Sequence, residues 1–347
     1  MRKIRVLVVE DSMLFRDLLV RNLNEDPGIE VVATAKDPFE ARDMILEYKP
    51  DVMTLDIELP KMSGIEFLRK LMPQYPLPVV MISSKSDKVF DAMNAGAVDF
   101  VEKPPAGSNR LQIEEFIRNE LPVKIKIASI AKIGTIKKNA LDSIRSQETQ
   151  NGSGYSRELI VAIGASTGGT EAIANVLKGY GPDIPGIVVV QHMPPGFTDM
   201  YAKRLNDQYP LAVKEAKNGD VVRPGQVLIA PGGDLQMEVI KANQEYQVVL
   251  KKGPKVNGHC PSVEVLFNSV AKAAGKHAVG IILTGMGGDG AKGLLSMRRA
   301  GAHTIGQDES TCVVYGMPRV AYELGAVEYQ EKLPDIAKRT YQLLNKM

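Results

Sequence analysis

The sequence predicts an α/β chain of two domains, an N-terminal five-stranded doubly wound parallel sheet and a C-terminal, mostly parallel α/β sheet with an inserted β-hairpin. Three observations predict it. At about 100–200 residues per domain, 347 residues leave room for two cores. Short apolar runs alternate with longer segments of helical period, once at the start and again after a polar interruption. In the second half, two β-rich runs flank "ANQE" within Leu235–Lys252, which reads as an antiparallel hairpin.

In the first half, "IRVLVVE" (Ile4–Glu10), "VVATA" (Val31–Ala35), "DVMTLDI" (Asp51–Ile57), "PVVMISS" (Pro78–Ser84) and "DFVEK" (Asp99–Lys103) read as strands. Between them "MLFRDLLVRNLNED", "PFEARDMILEY", "GIEFLRKLMPQ" and "KVFDAMNAG" read as amphipathic helices, and "LQIEEFIRNEL" (Leu111–Leu121) closes the unit. Residues 1–121 form the first expected domain. Residues 122–155 lose the pattern: an isoleucine-rich, irregular first half is open to a helix lying on one domain, and "SIRSQETQNGSGYS" suits a flexible linker. Its basic excess reads as a solvated surface and implies no partner.

Residues 156–347 are expected to form the second domain. Its strands are "RELIVAIGAS", "GIVVVQHM", "GQVLIAPGG", "AVGIILTGM" and "HTIG"; its helices include "FTDMYAKRLNDQ", "VEVLFNSVAKAAG", "AKGLLSMRRAG" and "MPRVAYELG".

Composition excludes several classes. With 43 basic and 41 acidic residues the net charge is +2, so the overall balance gives nucleic-acid binding no support. The apolar run in "MRKIRVLVVEDS" is too short for a signal peptide and no stretch of about 18 uncharged apolar residues occurs, so a cytoplasmic protein without membrane insertion is expected. Cys260 and Cys312 have no CxxC or Cys/His ligand spacing, which argues for buried free thiols over a disulfide framework or structural zinc.

Ligand chemistry in open α/β sheets gathers at the carboxyl ends of strands. In the first domain that end collects Glu10, Asp11, Asp56, Ser83, Ser84 and Lys103. Any one alone reads as a cap or surface charge. Three carboxylates together repel unless a cation joins them, and hard oxygen ligands suit Mg²⁺. Asp56 could then act as a carboxylate nucleophile toward phosphorus.

In the second domain "GASTG" (Gly164–Gly168) fits G-x-S-x-G, a sharp strand-to-helix turn that exposes a serine. It has neither the Gly-Lys-Ser/Thr of a phosphate loop nor G-x-G-x-x-G. On the motif alone, a nucleophile at Ser166 and a plain glycine-rich turn both remain open. A base and an orienting acid are expected at neighbouring strand ends: His192 after "GIVVVQ" and Asp289 in "LTGMGGDGA". His277 and His303 precede their strands and read as surface or loop residues. His259, in "NGHCPSVE", is the reserve base. The backbone amides of Thr167 and Met286 are the candidate oxyanion donors.

"VVEDS", "LDIELPKMSG", "ISS" and "DFVEKP" resemble the receiver domain of two-component response regulators, a flavodoxin-like fold, over residues 1–121. The resemblance implies Asp56 as phosphoacceptor, Glu10 and Asp11 with Asp56 as Mg²⁺ ligands, Lys103 on the phosphoryl group and Ser83 with Phe100 as the switch pair. Glu10 stands where many receivers have Asp. "GASTGG", "QHMPPGFT", "APGG", "HCPSVEVLF" and "LTGMGGDGA" look like the catalytic domain of the chemotaxis protein-glutamate methylesterase family. That implies a phosphorylation-regulated hydrolase that demethylates γ-glutamyl methyl esters, and deamidates glutamines, on chemoreceptor cytoplasmic domains. Ser166 would be nucleophile, His192 base and Asp289 orienter, with no cofactor at the esterase site. The implied partners are a chemotaxis histidine kinase as phosphodonor and methyl-accepting chemoreceptors as substrate. Glu264, where many members have a shorter acid, and Asp234, where they have histidine, depart from the pattern at the cleft rim. Two rivals stand beside this reading: a response regulator with a DNA-binding output, disfavoured by an α/β second half of balanced charge, and an esterase for small-molecule esters.

Overall fold

The structure is a computed structural model that describes residues 2–84, 88–105, 107–133, 155 and 157–347. The chain divides between residues 137 and 138 into two compact units.

The first unit is a five-stranded parallel sheet: β1 (Ile4–Val9), β2 (Ile29–Ala35), β3 (Val52–Asp56), β4 (Val79–Ser83) and β5 (Asp99–Glu102) in the order β2-β1-β3-β4-β5. β3 and β4 are buried at every position, as near-continuous apolar runs require when helices cover both faces. Helices α1 (Met13–Asn24), α2 (Pro38–Tyr48), α3 (Gly64–Leu71), α4 (Val89–Asn94) and α5 (Arg110–Asn119) follow the strands in turn. Local chemistry fixes the starts of α1, α2, α3 and α5. Ser12, Asp37, Ser63 and Asn109 each cap a helix through a side-chain oxygen, and Pro38 supplies a preset φ in the first turn of α2. The stretch after Leu121 begins as helix α6 (Leu121–Ser129), which buries Leu121, Ile125 and Ala128 and packs against β3, β4 and β5. Most of the polar second half of the expected linker lies outside the described residues.

The second unit is a seven-stranded parallel sheet with a separate hairpin. Its strands are β6 (Ile160–Ala165), β7 (Gly186–Gln191), β8 (Ala212–Glu215), β9 (Gln226–Ile229), β12 (Ala278–Ile282), β13 (His303–Gln307) and β14 (Tyr329–Glu331), ordered β14-β13-β12-β6-β7-β9-β8. Helices α7 (Gly169–Lys178), α8 (Phe197–Gln208), α9 (Val263–Ala274), α10 (Ala291–Arg299), α11 (Met317–Glu323) and α12 (Ile336–Leu344) complete it. The hairpin pairs β10 (Leu235–Ala242) with β11 (Glu245–Lys252) antiparallel. Asn243 and Gln244 turn it at φ 50° and 66°, the left-handed pair that matches strand twist in a two-residue loop. The edge strands β8 and β14 were not expected; four and three residues long, they are too short to show alternation.

The order of this sheet positions the site. β6 is central, with β7 on one side and β12, far later in the chain, on the other. Crossovers leave β6 in opposite directions there, the switch point at which open α/β sheets leave a crevice beyond the strand ends.

Candidate functional site

Ser166 is the first residue beyond β6. Its amide donates to the Thr284 carbonyl at 3.0 Å and its carbonyl accepts from Gly169 at 2.7 Å, so the chain turns at once into α7. The glycines around it answer to space. A Cβ on Gly164 would lie 2.1 Å from Val263 Cγ1, and Gly168, at φ 75°, would meet Val313 at 2.7 Å. The flanking residues of the motif are therefore glycines because side chains from other elements fill the volume a Cβ needs.

β7 pairs in register with β6 up to Ala165 opposite Gln191, and the His192 amide donates to the Ala165 carbonyl at 3.2 Å. The next residues on the two strands, Ser166 and His192, thus emerge side by side. On the other flank β12 runs into the glycine-rich turn 285–290, where a Cβ on Gly285 would lie 2.7 Å from Ser166 Cβ. That turn delivers Asp289, whose Oδ2 is 2.9 Å from Nε2 of His192. The three residues converge from three adjacent strand ends.

Asp289 is buried and fully engaged. Its Oδ1 accepts from Ser262 Oγ at 2.7 Å and Asn257 Nδ2 at 2.9 Å, and its Oδ2 accepts from the Val263 amide at 2.7 Å. Val263 opens α9, so the carboxylate sits on a helix N-terminus, where orphan amides and the macrodipole favour negative charge. Burial opposes its ionisation, but the hydrogen bonds from His192, Asn257 and Ser262 outweigh burial and hold its pKa down to about 2. An ionised Asp289 places the proton of His192 on Nε2 and leaves a lone pair on Nδ1. Nδ1 is buried and makes no hydrogen bond.

Thr167 is buried, with its carbonyl accepting from Thr284 Oγ1 at 3.0 Å. Met286 belongs to the turn against Ser166 and is 43% exposed, so it forms part of the rim. His303 is at the amino end of β13, paired with Glu328 at 2.8 Å, and His277 lies in the 3₁₀ turn before β12. His259 stacks on His192. Glu264 is buried in the first turn of α9; burial raises its carboxyl, a Gly293 backbone hydrogen bond opposes this, and the Asp289 charge adds to the rise. Asp234 is exposed and paired with Lys252 at 3.1 Å. Of the two free thiols Cys312 is buried, but Cys260, beside His259, is half-buried.

Sequence reasoning missed Gln191. Its buried Nε2 donates to the carbonyls of Ser166 at 2.9 Å and His192 at 3.1 Å, tying the two strand ends together. Only the unusual polar residue closing "GIVVVQ" could have signalled it. Asn257 and Ser262 were missed because they reach Asp289 across 32 and 27 positions.

The first unit holds a second constellation. Oxygens of Glu10, Asp11 and Asp56 all lie within 4.8 Å of one another, and Lys103 Nζ approaches Asp56 Oδ2 at 2.5 Å and Glu10 Oε2 at 2.8 Å. Burial raises the carboxyl of Asp56, with Lys103 pulling it down; burial likewise pushes Glu10 up to about 7 against Lys103. Two buried acids and one exposed acid converging on an all-oxygen cluster fit a hard divalent cation, which would relieve that cost. Ser83 is buried at the carboxyl end of β4 and Phe100 is buried at the second position of β5, opposite Met81, and the Lys103 amide donates to the Ser83 carbonyl at 2.8 Å.

Residues 161–340 match the family model for the CheB methylesterase, and residues 6–113 match that for the response regulator receiver domain. The chain is 59% identical over 347 residues to a protein-glutamate methylesterase/protein-glutamine glutaminase of Syntrophomonas wolfei, covering 100% of this chain and 99% of that relative. It is 46% identical over 353 residues to a protein of the same description from Salmonella typhi, covering 100% and 98%. Among solved structures it resembles the Thermotoga maritima CheB methylesterase catalytic domain, with TM-score 0.52 and 38% identity over 56% of this chain and all of that one. No described helix is long and apolar enough to cross a membrane.

Proposed function

This chain belongs to the CheB methylesterase family, with a response regulator receiver domain ahead of the esterase, and we propose that Ser166, His192 and Asp289 carry out its hydrolysis. The protein is a carboxylic-ester hydrolase, a protein-glutamate methylesterase with protein-glutamine glutaminase activity, placed under a phosphorylation switch. Its substrates are γ-glutamyl methyl esters and glutamines of chemoreceptor cytoplasmic domains.

The observation that carries the residue assignment is the 2.9 Å contact between Asp289 and His192 beside Ser166. His192 Nδ1 accepts the Ser166 proton as Oγ attacks the ester carbonyl, a hydrogen bond that closes when substrate is bound. The amides of Thr167 and Met286 face the oxyanion, a term worth about 10²–10³-fold in rate per donor. Collapse breaks the C–O bond of the ester, or the C–N bond when glutamine is the substrate, as His192 gives the proton to the departing oxygen or nitrogen, which leaves as methanol or ammonia. Water, deprotonated by the same ring, then attacks the acyl-serine, and Ser166 recovers its proton as the carboxylate leaves. No metal or cofactor is needed in this sequence.

In the receiver, Asp56 takes a phosphoryl group from a chemotaxis histidine kinase and Lys103 pairs with its oxygens. Glu10, Asp11 and Asp56 would hold Mg²⁺, which neutralises phosphoryl charge when bound. Ser83 and Phe100 form the switch pair. The unphosphorylated receiver inhibits the cleft, and phosphorylation shifts the population to an active form, because a modification acts through differential stability of two states. The esterase begins near residue 156, and the protein works in the cytoplasm.

Methanol release from methylated receptor, with and without a small phosphodonor and Mg²⁺, tests this reading. Release should rise on phosphorylation, stay low in Asp56→Ala, and be high without phosphodonor in a chain starting near Tyr155. Asp56→Ala as active as phosphorylated wild type would remove the switch. A generic chromogenic ester hydrolysed as well as methylated receptor would remove the substrate assignment.

A further inference from the structure

The loop Val256–Ser262 touches both members of the histidine-carboxylate pair. Val256 and His259 exchange backbone hydrogen bonds of 2.9 and 3.0 Å. Gln236, buried on β10, donates to the Pro254 carbonyl at 3.0 Å and accepts from the Ser262 amide at 2.8 Å. From this frame Asn257 and Ser262 hold Oδ1 of Asp289, and the His259 ring lies flat on His192, with centroids 3.6 Å apart and planes 8° from parallel.

Stacking on the face of His192 restricts one motion in particular. A half-turn about its Cβ–Cγ bond would put Cε1 in place of Nε2 at Asp289, and Cδ2 where Nδ1 stands. Halfway through, the ring is perpendicular to its present plane and needs the space His259 occupies. We propose that His259 is a positioning residue for the hydrolysis, clamping the His192 ring so that Nε2 stays on Asp289 and Nδ1 stays available to Ser166. The inference rests on Ser166 as nucleophile and His192 as base. It asks of His259 a flat face and not a proton, so another flat ring should replace it and a branched aliphatic should not.

The test uses the full chain with phosphodonor and Mg²⁺, and reads covalent labelling of the serine by a fluorophosphonate together with kcat and KM for methanol release. His259→Ala and His259→Leu should slow labelling and kcat about 10- to 100-fold, the scale of a misplaced catalytic group, with KM nearly unchanged. His259→Phe should stay within about threefold of wild type on the same scale. Thermal midpoints identify any variant that fails to fold. If His259→Ala is one, the comparison of Phe with Leu decides. Phe as slow as Leu, or Ala and Leu as fast as wild type, overturns the clamp. Ser166→Ala that still labels at the wild-type rate overturns the underlying reading instead; Ser166→Ala inert beside a fast His259→Ala removes the clamp alone.

Discussion

The Asp289 carboxylate lies 2.9 Å from Nε2 of His192 and at the same time closes the N-terminus of helix α9 through the Val263 amide. One group thus aligns the His192 ring and anchors a helix.

Asp289→Asn should therefore lose both activity and stability. A neutral amide can present its NH₂ to Nε2 and favour the wrong tautomer, so kcat should fall about 10³–10⁴-fold. The folded-state pKa, about 2, lies below the ordinary carboxylate value of 3.8. Its contribution is therefore complete above about pH 4 and lost as pH falls toward 2, and is on the order of 2 kcal/mol. Urea unfolding at pH 7 and pH 3 should show a smaller stability difference in the variant than in wild type; an equal difference would assign the acid sensitivity elsewhere.

Gln191→Leu should strip one donor from two carbonyls, those of Ser166 and His192. Leaving these groups without their partner costs about 1–3 kcal/mol, and loosening Ser166 against His192 should lower kcat by about 10-fold or more with little change in KM. Equilibrium unfolding and steady-state kinetics on one preparation check both; unchanged kcat would show that the strand pairing alone fixes the two residues.

Gly164→Ala puts a methyl group 2.1 Å from Val263 Cγ1. Overpacking at a site closed by two elements costs about 1–3 kcal/mol. Because Val263 also donates to Asp289, activity should fall along with the thermal midpoint. A variant as stable as wild type would mean that α9 shifts without penalty.

The strand ends were legible because parallel βα units announce themselves by period, and two of the proposed catalytic side chains directly follow the last residue of their strands: Ser166 after "IVAIGA", His192 after "GIVVVQ". What could not be read was how Asp289 is held. Its partners Asn257, Ser262 and Val263 come from a loop beyond an inserted hairpin and from the first residue of α9, and no local pattern places that loop over the sheet. His259 shows the same limit. Its position near the cleft could be guessed, but its stacking on His192 depends on backbone bonds from Val256 and a side chain on β10. The short edge strands β8 and β14 and the helix Leu121–Ser129 depend on tertiary packing more than on period.

In the receiver, burial raises Glu10 and Asp56 above the usual carboxylate range. Glu10, pushed up to about 7, keeps a proton that a divalent cation binding there must displace, so Mg²⁺ affinity should rise with pH up to about 7 and binding should release protons. Calorimetry in two buffers of different ionisation enthalpy measures the release directly. Affinity that is the same at pH 5.5 and 7.5 would contradict the raised values.

The most direct measurement compares methanol release from methylated receptor by wild type and by Ser166→Ala, both carrying phosphorylated Asp56. Loss of turnover by about 10⁴-fold or more, with folding and phosphorylation intact, is the predicted result. A Ser166→Ala chain that still releases methanol at a rate near wild type would contradict it.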